Sequence, residues 1–265
     1  MAGMVLSAIY RYPVKSLGGE AFPGLEVVSR GLRGDRDWMV VDAQGRFLTQ
    51  RQQSRMALIG ARLDDHGVLR LKAPGMPELL VGPAAGRRMV VQVWDDTLSA
   101  ATAGAEADAW LSGFLDQPCR LVAFPPATVR AVDPDYASPS DQVGFADGFP
   151  FLLISEASLG DLNARLERPV PMLRFRPNLV VAGCEAFAED GWRRLRIGAI
   201  TFRVAKPCSR CIIPTIDPDT GERGREPLQT LMRYRRRDNK VYFGQNLIHD
   251  AVGRLETGMA VEVLE

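Results

Sequence analysis

Ile200-Thr201-Phe202-Arg203-Val204 alternates apolar and polar side chains, and Ala205-Lys206-Pro207 carries the chain directly into Cys208-Ser209-Arg210-Cys211. Alternation over these residues is the pattern of a half-exposed strand. The two thiols therefore follow a strand, and Ile212-Ile213-Pro214 beyond them is a poor helix start. Outward from this stretch the chain keeps the same character. Leu179-Val180-Val181 reads as a buried strand and Val261-Glu262-Val263-Leu264 as a closing one. Nearer the N-terminus, Val5 to Tyr10, Trp38 to Val41, Val68 to Leu71 and Met89 to Trp94 are short apolar or alternating runs. Turns separate them: Pro13, Asp42-Ala43-Gln44-Gly45, Pro74-Gly75 and a Gly/Pro/Ala loop ahead of Met89.

Helices are few. Ala105 to Leu115 has an apolar face from Ala109, Leu111, Phe114 and Leu115, with Glu106 and Asp108 in its first turn. Ser155 is placed to cap Glu156 to Leu166, and Pro227 to open Leu228 to Tyr234. Many short strands with frequent turns favour a barrel or sandwich. The fold class is thus α+β, mainly β. A polar loop over Arg130 to Gln142, rich in Pro, Asp and Ser, reads as an inter-lobe connection or an active-site loop.

The chain has 265 residues, which allows two lobes or one large domain and a core that needs no disulfide. Lys plus Arg (33) almost cancels Asp plus Glu (32), so a whole-protein basic field for nucleic acid is not supported. That balance hides an asymmetry. Between Trp192 and Lys240 thirteen basic residues face five acidic ones, a local charge of +8 in a chain whose net is +1. The segment is either a solvated Arg-rich face or a binding surface for an anion. Met1 to Tyr12 does not read as a leader, and no apolar run is long enough to span a membrane. The four cysteines are expected as reduced thiols in the cytoplasm.

Cys208-x-x-Cys211 is the outstanding local feature. A zinc site would need two more ligands, and Cys119, Cys184, His66 and His249 offer no paired spacing. A thioredoxin-type dithiol would open a helix. Two structural cysteines are a further reading. Lys206 and Arg210 flank the thiols, and nearby cations favour a thiolate, a soft ligand for a redox metal. With His66 and His249 as the only histidines, a His-based cage or triad is hard to build. Neither phosphate-loop signature of nucleotide-binding proteins is present. Tyr12-Pro13-Val14-Lys15-Ser16 ends a strand with a cation and a hydroxyl suited to an oxyanion. Phe175-Arg176-Pro177-Asn178 sets a guanidinium and an amide around a proline, suited to a phosphate and a heterocycle edge.

Together with Gly31-Leu32-Arg33-Gly34-Asp35-Arg36-Asp37-Trp38 and Thr215-Ile216-Asp217-Pro218-Asp219-Thr220-Gly221, these patches resemble the MOSC proteins, a family named for the C-terminal domain of molybdenum cofactor sulfurase. The branch most similar is that of the amidoxime-reducing component and its bacterial counterparts, and the resemblance covers essentially the whole chain. It implies a MOSC-associated β-barrel-like lobe over residues 1–125 and a MOSC β-barrel over residues 126–265, to which N-terminal residues contribute. It implies a molybdenum–molybdopterin cofactor whose metal is held by Cys211, with Cys208 in support. By the same resemblance Lys15, Ser16, Arg36, Asp147, Arg176, Asn178, Ser209 and Gln245 bind the cofactor, and Asp147 joins Cys211 in catalysis as proton donor or pterin ligand.

The implied activity is reduction of N-hydroxylated compounds, amidoximes and hydroxylamines, to amidines and amines. Electrons would come from a separate ferredoxin, flavodoxin or cytochrome b5-like protein, because the chain ends at Glu265 without an iron–sulfur cluster motif. Neither nucleic acid nor membrane is an expected partner. The alternatives are a sulfur or cofactor carrier using Cys211 and a binding protein without catalysis. One departure from the family stands out. Asp147 is followed by Gly148-Phe149-Pro150, where related sequences often carry hydroxyl residues.

Overall fold

The computed structural model describes residues 3–84 and 86–265. Met1 and Ala2, at the start of the stretch read for a leader, and Ala85, in the loop ahead of Met89, lie outside the described residues. The chain is mainly strand. Its largest sheet has nine strands, and its long path takes them in the spatial order Val261–Val263, Arg194–Ile197, Ile200–Ser209, Lys240–His249, Phe151–Ser155, Leu179–Ala182, Val5–Arg11 and Glu20–Phe22. The expected strands at residues 5, 179, 200 and 261 all lie here. Ile200–Ser209 runs further than the alternation suggested and carries Cys208 within it.

The ladder does not close into a continuous barrel. The segment before Val261–Val263 meets the Val5–Arg11 strand through an isolated bridge between Val5 and Ala260, with Leu6 N donating to Met259 O at 2.9 Å, Gly258 N to Leu6 O at 2.8 Å and Val261 N to Met4 O at 2.9 Å. Bulges interrupt the pairing of Ile200–Ser209 with Lys240–His249, and they curl the sheet. One parallel pair, Phe151–Ser155 beside Leu179–Ala182, is joined through a helix, as parallel neighbours require.

Residues 38–123 supply a four-stranded sheet and a three-stranded one, the latter over Gly60–Leu63, Leu69–Lys72 and Leu79–Val81. Their core packs on helix α1, Ala105–Leu115. The helix has the expected bounds but a different buried face. Ala107, Trp110, Leu111, Phe114 and Leu115 point inward at helical spacing, whereas Ala109 is exposed. Helix α2, Glu156–Asn163, has the expected cap, with Ser158 N donating to Ser155 Oγ at 3.1 Å. It stops short of Leu166 because both ends of the Asn163 amide turn to the Val170 backbone. Helix α3, Leu228–Tyr234, follows Pro227, which occupies the N-cap instead of the first helical position.

The second core lines the inside of the curled sheet, with Leu6, Phe151, Leu153, Leu195, Phe202 and Leu247 among its buried residues. Gly244 lets two strands approach. Its φ is +82°, and a Cβ there would stand 2.6 Å from Ile154 Cγ1 and 2.8 Å from Leu153 O. Gly244→Ala is therefore expected to cost at least about 2 kcal/mol, from overpacking and from the left-handed backbone together. Denaturant unfolding of the variant measures it, and an unchanged midpoint would show that the strands relax.

Candidate functional site

Where the ends of several strands meet, a cleft of ≈ 780 Å³, including its open mouth, is walled by segments far apart in sequence. Lys15, Ser16, Arg36, Asp147, Arg176, Asn178, Cys208, Ser209 and Cys211 all line it. The N-terminal strand delivers Lys15 and Ser16. After Arg11 the chain is braided with residues 35–38: Tyr12 N donates to Asp35 Oδ1 at 2.8 Å, Arg36 N to Tyr12 O at 2.8 Å, and Lys15 N to Trp38 O at 2.8 Å. The braid sets Lys15 and Arg36 side by side.

Two guanidinium groups sandwich the buried Tyr12 ring. The Cζ atoms of Arg36 and Arg176 each lie 4.3 Å from its centroid. Arg36 Nη1 also donates to Asn178 Oδ1 at 3.1 Å, and Arg176 Nη1 to Leu17 O at 2.6 Å. Burial and the neighbouring Arg36 pull the Arg176 pKa down to about 10. Lys15 is buried, donating to Phe145 O at 2.8 Å and to Asp147 Oδ1. Desolvation lowers its pKa to about 8, although Asp147 pulls the other way. Desolvation by the surrounding chain would raise the Asp147 carboxyl, but Lys15, Arg51 and the Trp94 indole N–H outweigh it. They hold Asp147 well below the usual carboxylate range.

Between Pro207 and Ser209 the register shifts, with Phe243 and Gly244 of the partner strand opposing Cys208, and the regular pairing ends just before Cys211. Bulges re-aim side chains beside functional sites. Arg210 Nη1 donates to Cys208 Sγ at 3.1 Å, while Arg51 Nη1 reaches Cys211 Sγ at 3.5 Å. Arg51 also lies 3.8 Å from Asp147 Oδ2 and 4.7 Å from the Trp94 ring centroid. Ser16, Arg36, Trp94 and Arg176 are four of the eight non-glycine residues with positive φ among the described residues. Such backbone strain tends to gather at functional sites.

The model of the MOSC N-terminal beta barrel domain matches residues 3–118, and that of the MOSC domain matches residues 140–262. The chain belongs to the MOSC family. Mitochondrial amidoxime-reducing component 1 of Homo sapiens is 38% identical, in an alignment covering 98% of this chain and 82% of that protein. The Mus musculus protein of the same name is 36% identical over 98% and 82%. Mitochondrial amidoxime reducing component 2 of Rattus norvegicus is 36% identical over 96% and 81%. These names are mitochondrial and lend no support to the cytoplasmic expectation. No helix of this MOSC protein is long and apolar enough to cross a membrane, among the described residues.

The walls fit an anionic cofactor. Arg51 Nη2, Arg176 Nη2 and Arg210 Nε are buried without a hydrogen-bond acceptor among the described residues, and all three side chains line the cleft. A buried donor left unpaired is costly, so an anion supplying acceptors there would relieve three such groups. Zinc has no support, since no cluster of three or more His, Cys, Asp or Glu is present among the described residues.

Two expectations are corrected by position. Gln245 is fully buried and turns away from the cleft, donating to Asp190 Oδ1 at 2.7 Å; its neighbour Asn246 lines the cleft instead. Strand alternation makes adjacent residues face opposite sides. Lys206 does not accompany the thiols. Its Nζ lies 4.2 Å from the Tyr136 centroid and 5.1 Å from that of Phe149. The cation beside Cys211 is Arg51, which no local motif marks.

The sequence reading also passed over Arg130 and Trp94. Arg130, at the start of the polar loop, is buried and donates to Gly144 O at 2.9 Å and Ala146 O at 2.6 Å, fixing the backbone just ahead of Asp147. Trp94 closes a two-residue hairpin turn and donates to Asp147 Oδ1 at 3.3 Å. A Cβ at Gly148 would meet nothing within 4 Å, so the position borders open space.

Proposed function

We propose that this MOSC protein is a molybdenum-cofactor-dependent reductase that converts amidoximes and hydroxylamines to amidines and amines. The observation that carries the proposal is that Arg51, Arg176 and Arg210, each with one buried guanidinium nitrogen lacking an acceptor among the described residues, line the same cleft as Cys211. The names of the relatives supply the substrate class. The overall reaction is R–NH–OH + 2 e⁻ + 2 H⁺ → R–NH₂ + H₂O. When bound, the cofactor would supply a redox metal suited to two-electron oxygen-atom removal.

The chain's own residues then have distinct tasks. Cys211 offers the soft thiolate for the metal. Lys15, Arg36 and Arg176 neutralise the anionic pterin, and Asn178, whose amide accepts from Arg36 Nη1 and donates to Tyr10 O, holds Arg36 in place. Asp147, kept ionised by Lys15 and Arg51, acts as an acceptor for N–H groups and not as a general acid at neutral pH.

The test is molybdenum analysis of protein purified from a host that makes the cofactor, with turnover of an aryl amidoxime driven by dithionite-reduced methyl viologen. Near-stoichiometric molybdenum and amidine formation are expected. Zinc, or a persulfide on Cys211, without molybdenum or turnover would overturn the proposal in favour of a carrier.

A further inference from the structure

The basic excess between Trp192 and Lys240 separates into two groups in space. On the strands, arginines are matched by acids: Arg194 and Arg203 with Asp250 at 3.3 and 2.6 Å, Arg196 with Glu262 at 2.5 Å, and Arg203 with Asp141 at 2.8 Å. Around helix α3 and the hairpin after it the pattern is different. Arg225, Arg233, Arg236, Arg237 and Lys240 are exposed, and none makes an ion pair among the described residues. Unmatched charge in one place creates a long-range field, whereas matched charge largely cancels.

Two of these cations, Arg236 and Lys240, line a second depression. Asn239, Leu228 and Met232 line it as well, together with Ser209, Arg210 and Cys211. The same three residues, 209 to 211, also line the main cleft. The segment that presents the Cys211 thiol to the cofactor site is thus a thin wall with a basic surface on its far side. Met232 (51% exposed) on that surface and Ile212 (43% exposed), next to Cys211 in the chain, are large apolar side chains open to solvent. An apolar centre inside a charged rim is the composition of a transient protein interface. Electron-transfer encounters are small interfaces of this kind, steered by charge and released quickly.

We infer that the face formed by helix α3, the Arg236–Lys240 hairpin and the outer side of Ser209–Cys211 is the docking surface for an acidic electron-carrier protein. This deepens the reductase reading and rests on it. The carrier, a flavin protein with an acidic rim, would be oxidised twice, one electron at a time, for each N–OH bond reduced. The two protons come from solvent, and the oxygen leaves as water. Charge decides between occupants: a basic partner would be repelled, and a nucleic acid would not need the thiol-bearing wall.

The experiment uses the full-length, cofactor-loaded protein with flavodoxin, an acidic flavin carrier, as probe. Binding of oxidised flavodoxin is measured by calorimetry. Turnover is measured with flavodoxin hydroquinone and, separately, with dithionite and methyl viologen. The variant Arg233→Glu/Arg236→Glu/Arg237→Glu changes three exposed side chains, none of which lines the main cleft. It is expected to weaken flavodoxin binding and raise its KM at least about tenfold, with dithionite-driven turnover unchanged. Wild-type binding should also fall steeply with salt. Arg194→Glu/Arg196→Glu, on the matched face, should leave flavodoxin binding unaltered. Absence of wild-type binding at low salt, or equal loss in both variants, overturns the docking surface. Failure of the reductase reading is distinct: it removes dithionite-driven turnover from the wild type itself.

Discussion

Cys211→Ser is expected to strip the purified protein of molybdenum, while Cys208→Ser keeps most of it. The geometry around the two thiols makes the difference. Cys211 lies past the end of the Ile200–Ser209 strand, in the wall of the cleft, with Arg51 Nη1 at 3.5 Å. Its sulfur sits among cations and close to unpaired N–H groups, where an anionic thiolate–metal unit would be stabilised. Cys208 Sγ is already engaged by Arg210 Nη1 at 3.1 Å. Arg210 in turn donates to Phe175 O at 2.8 Å, in the turn that delivers Arg176. Cys208 therefore supports the wall through Arg210, and a serine hydroxyl also accepts from a guanidinium.

Loss of a supporting residue usually lowers metal affinity by about 10–100-fold, and loss of a direct ligand by more. Molybdenum per chain, measured by mass spectrometry on both variants beside the wild type, reads the contrast. Equal loss from both would mean that the thiols act as a pair. Retention by Cys211→Ser would exclude this cysteine as the ligand.

What the sequence made legible follows from how local each feature is. The strands around residues 5, 38, 179 and 200 and all three helices were visible because period and caps are properties of neighbouring residues. The curl of the large sheet was not visible, since it depends on bulges and on a bridge between residues 255 apart in the chain. The site divides along the same line. Lys15, Ser16, Arg36, Arg176, Asn178 and Cys211 sit in compact motifs, and all reach the cleft. Gln245, implied by the resemblance, turns to Asp190, and Lys206, a sequence neighbour of the thiols, reaches Tyr136 after the register shift between Val204 and Lys206. Arg51, Trp94 and Arg130 stand in unremarkable surroundings and reach the site only through tertiary packing. The grouping of the basic segment was equally hidden: counting charge gives +8, but only the ion pairs show which cations are free.

Lys15→Met is expected to separate stability from cofactor binding. Lys15 is 4% exposed, and its pKa of about 8 lies below the 10.5 of an ordinary lysine. Below pH 8 both folded and unfolded chains hold this proton, and the folded state bears the full cost of a buried cation. Between pH 8 and about 10.5 the unfolded chain holds the proton and the folded chain does not, so this group's contribution to stability rises with pH. Methionine has similar length and no charge, so Lys15→Met removes the cost of the buried cation but leaves Phe145 O without its donor. Asp147 would lose a partner, but its side chain is 59% exposed and water can replace the contact.

The stability difference between the cofactor-free variant and the wild type should accordingly depend on pH, with the wild type gaining on the variant as pH rises from 8 to 10. Cofactor retention should move the opposite way. An anion beside Lys15 favours its charged form, so binding above pH 8 takes up a proton and weakens by up to about tenfold per pH unit for one linked group. Lys15→Met should lose most of its molybdenum at every pH. Unfolding midpoints of both proteins without cofactor, and molybdenum content after equilibration across this range, test the two halves independently. A stability difference that stays constant with pH would mean that Lys15 does not titrate there. Wild-type molybdenum levels in Lys15→Met would remove Lys15 from the anion site.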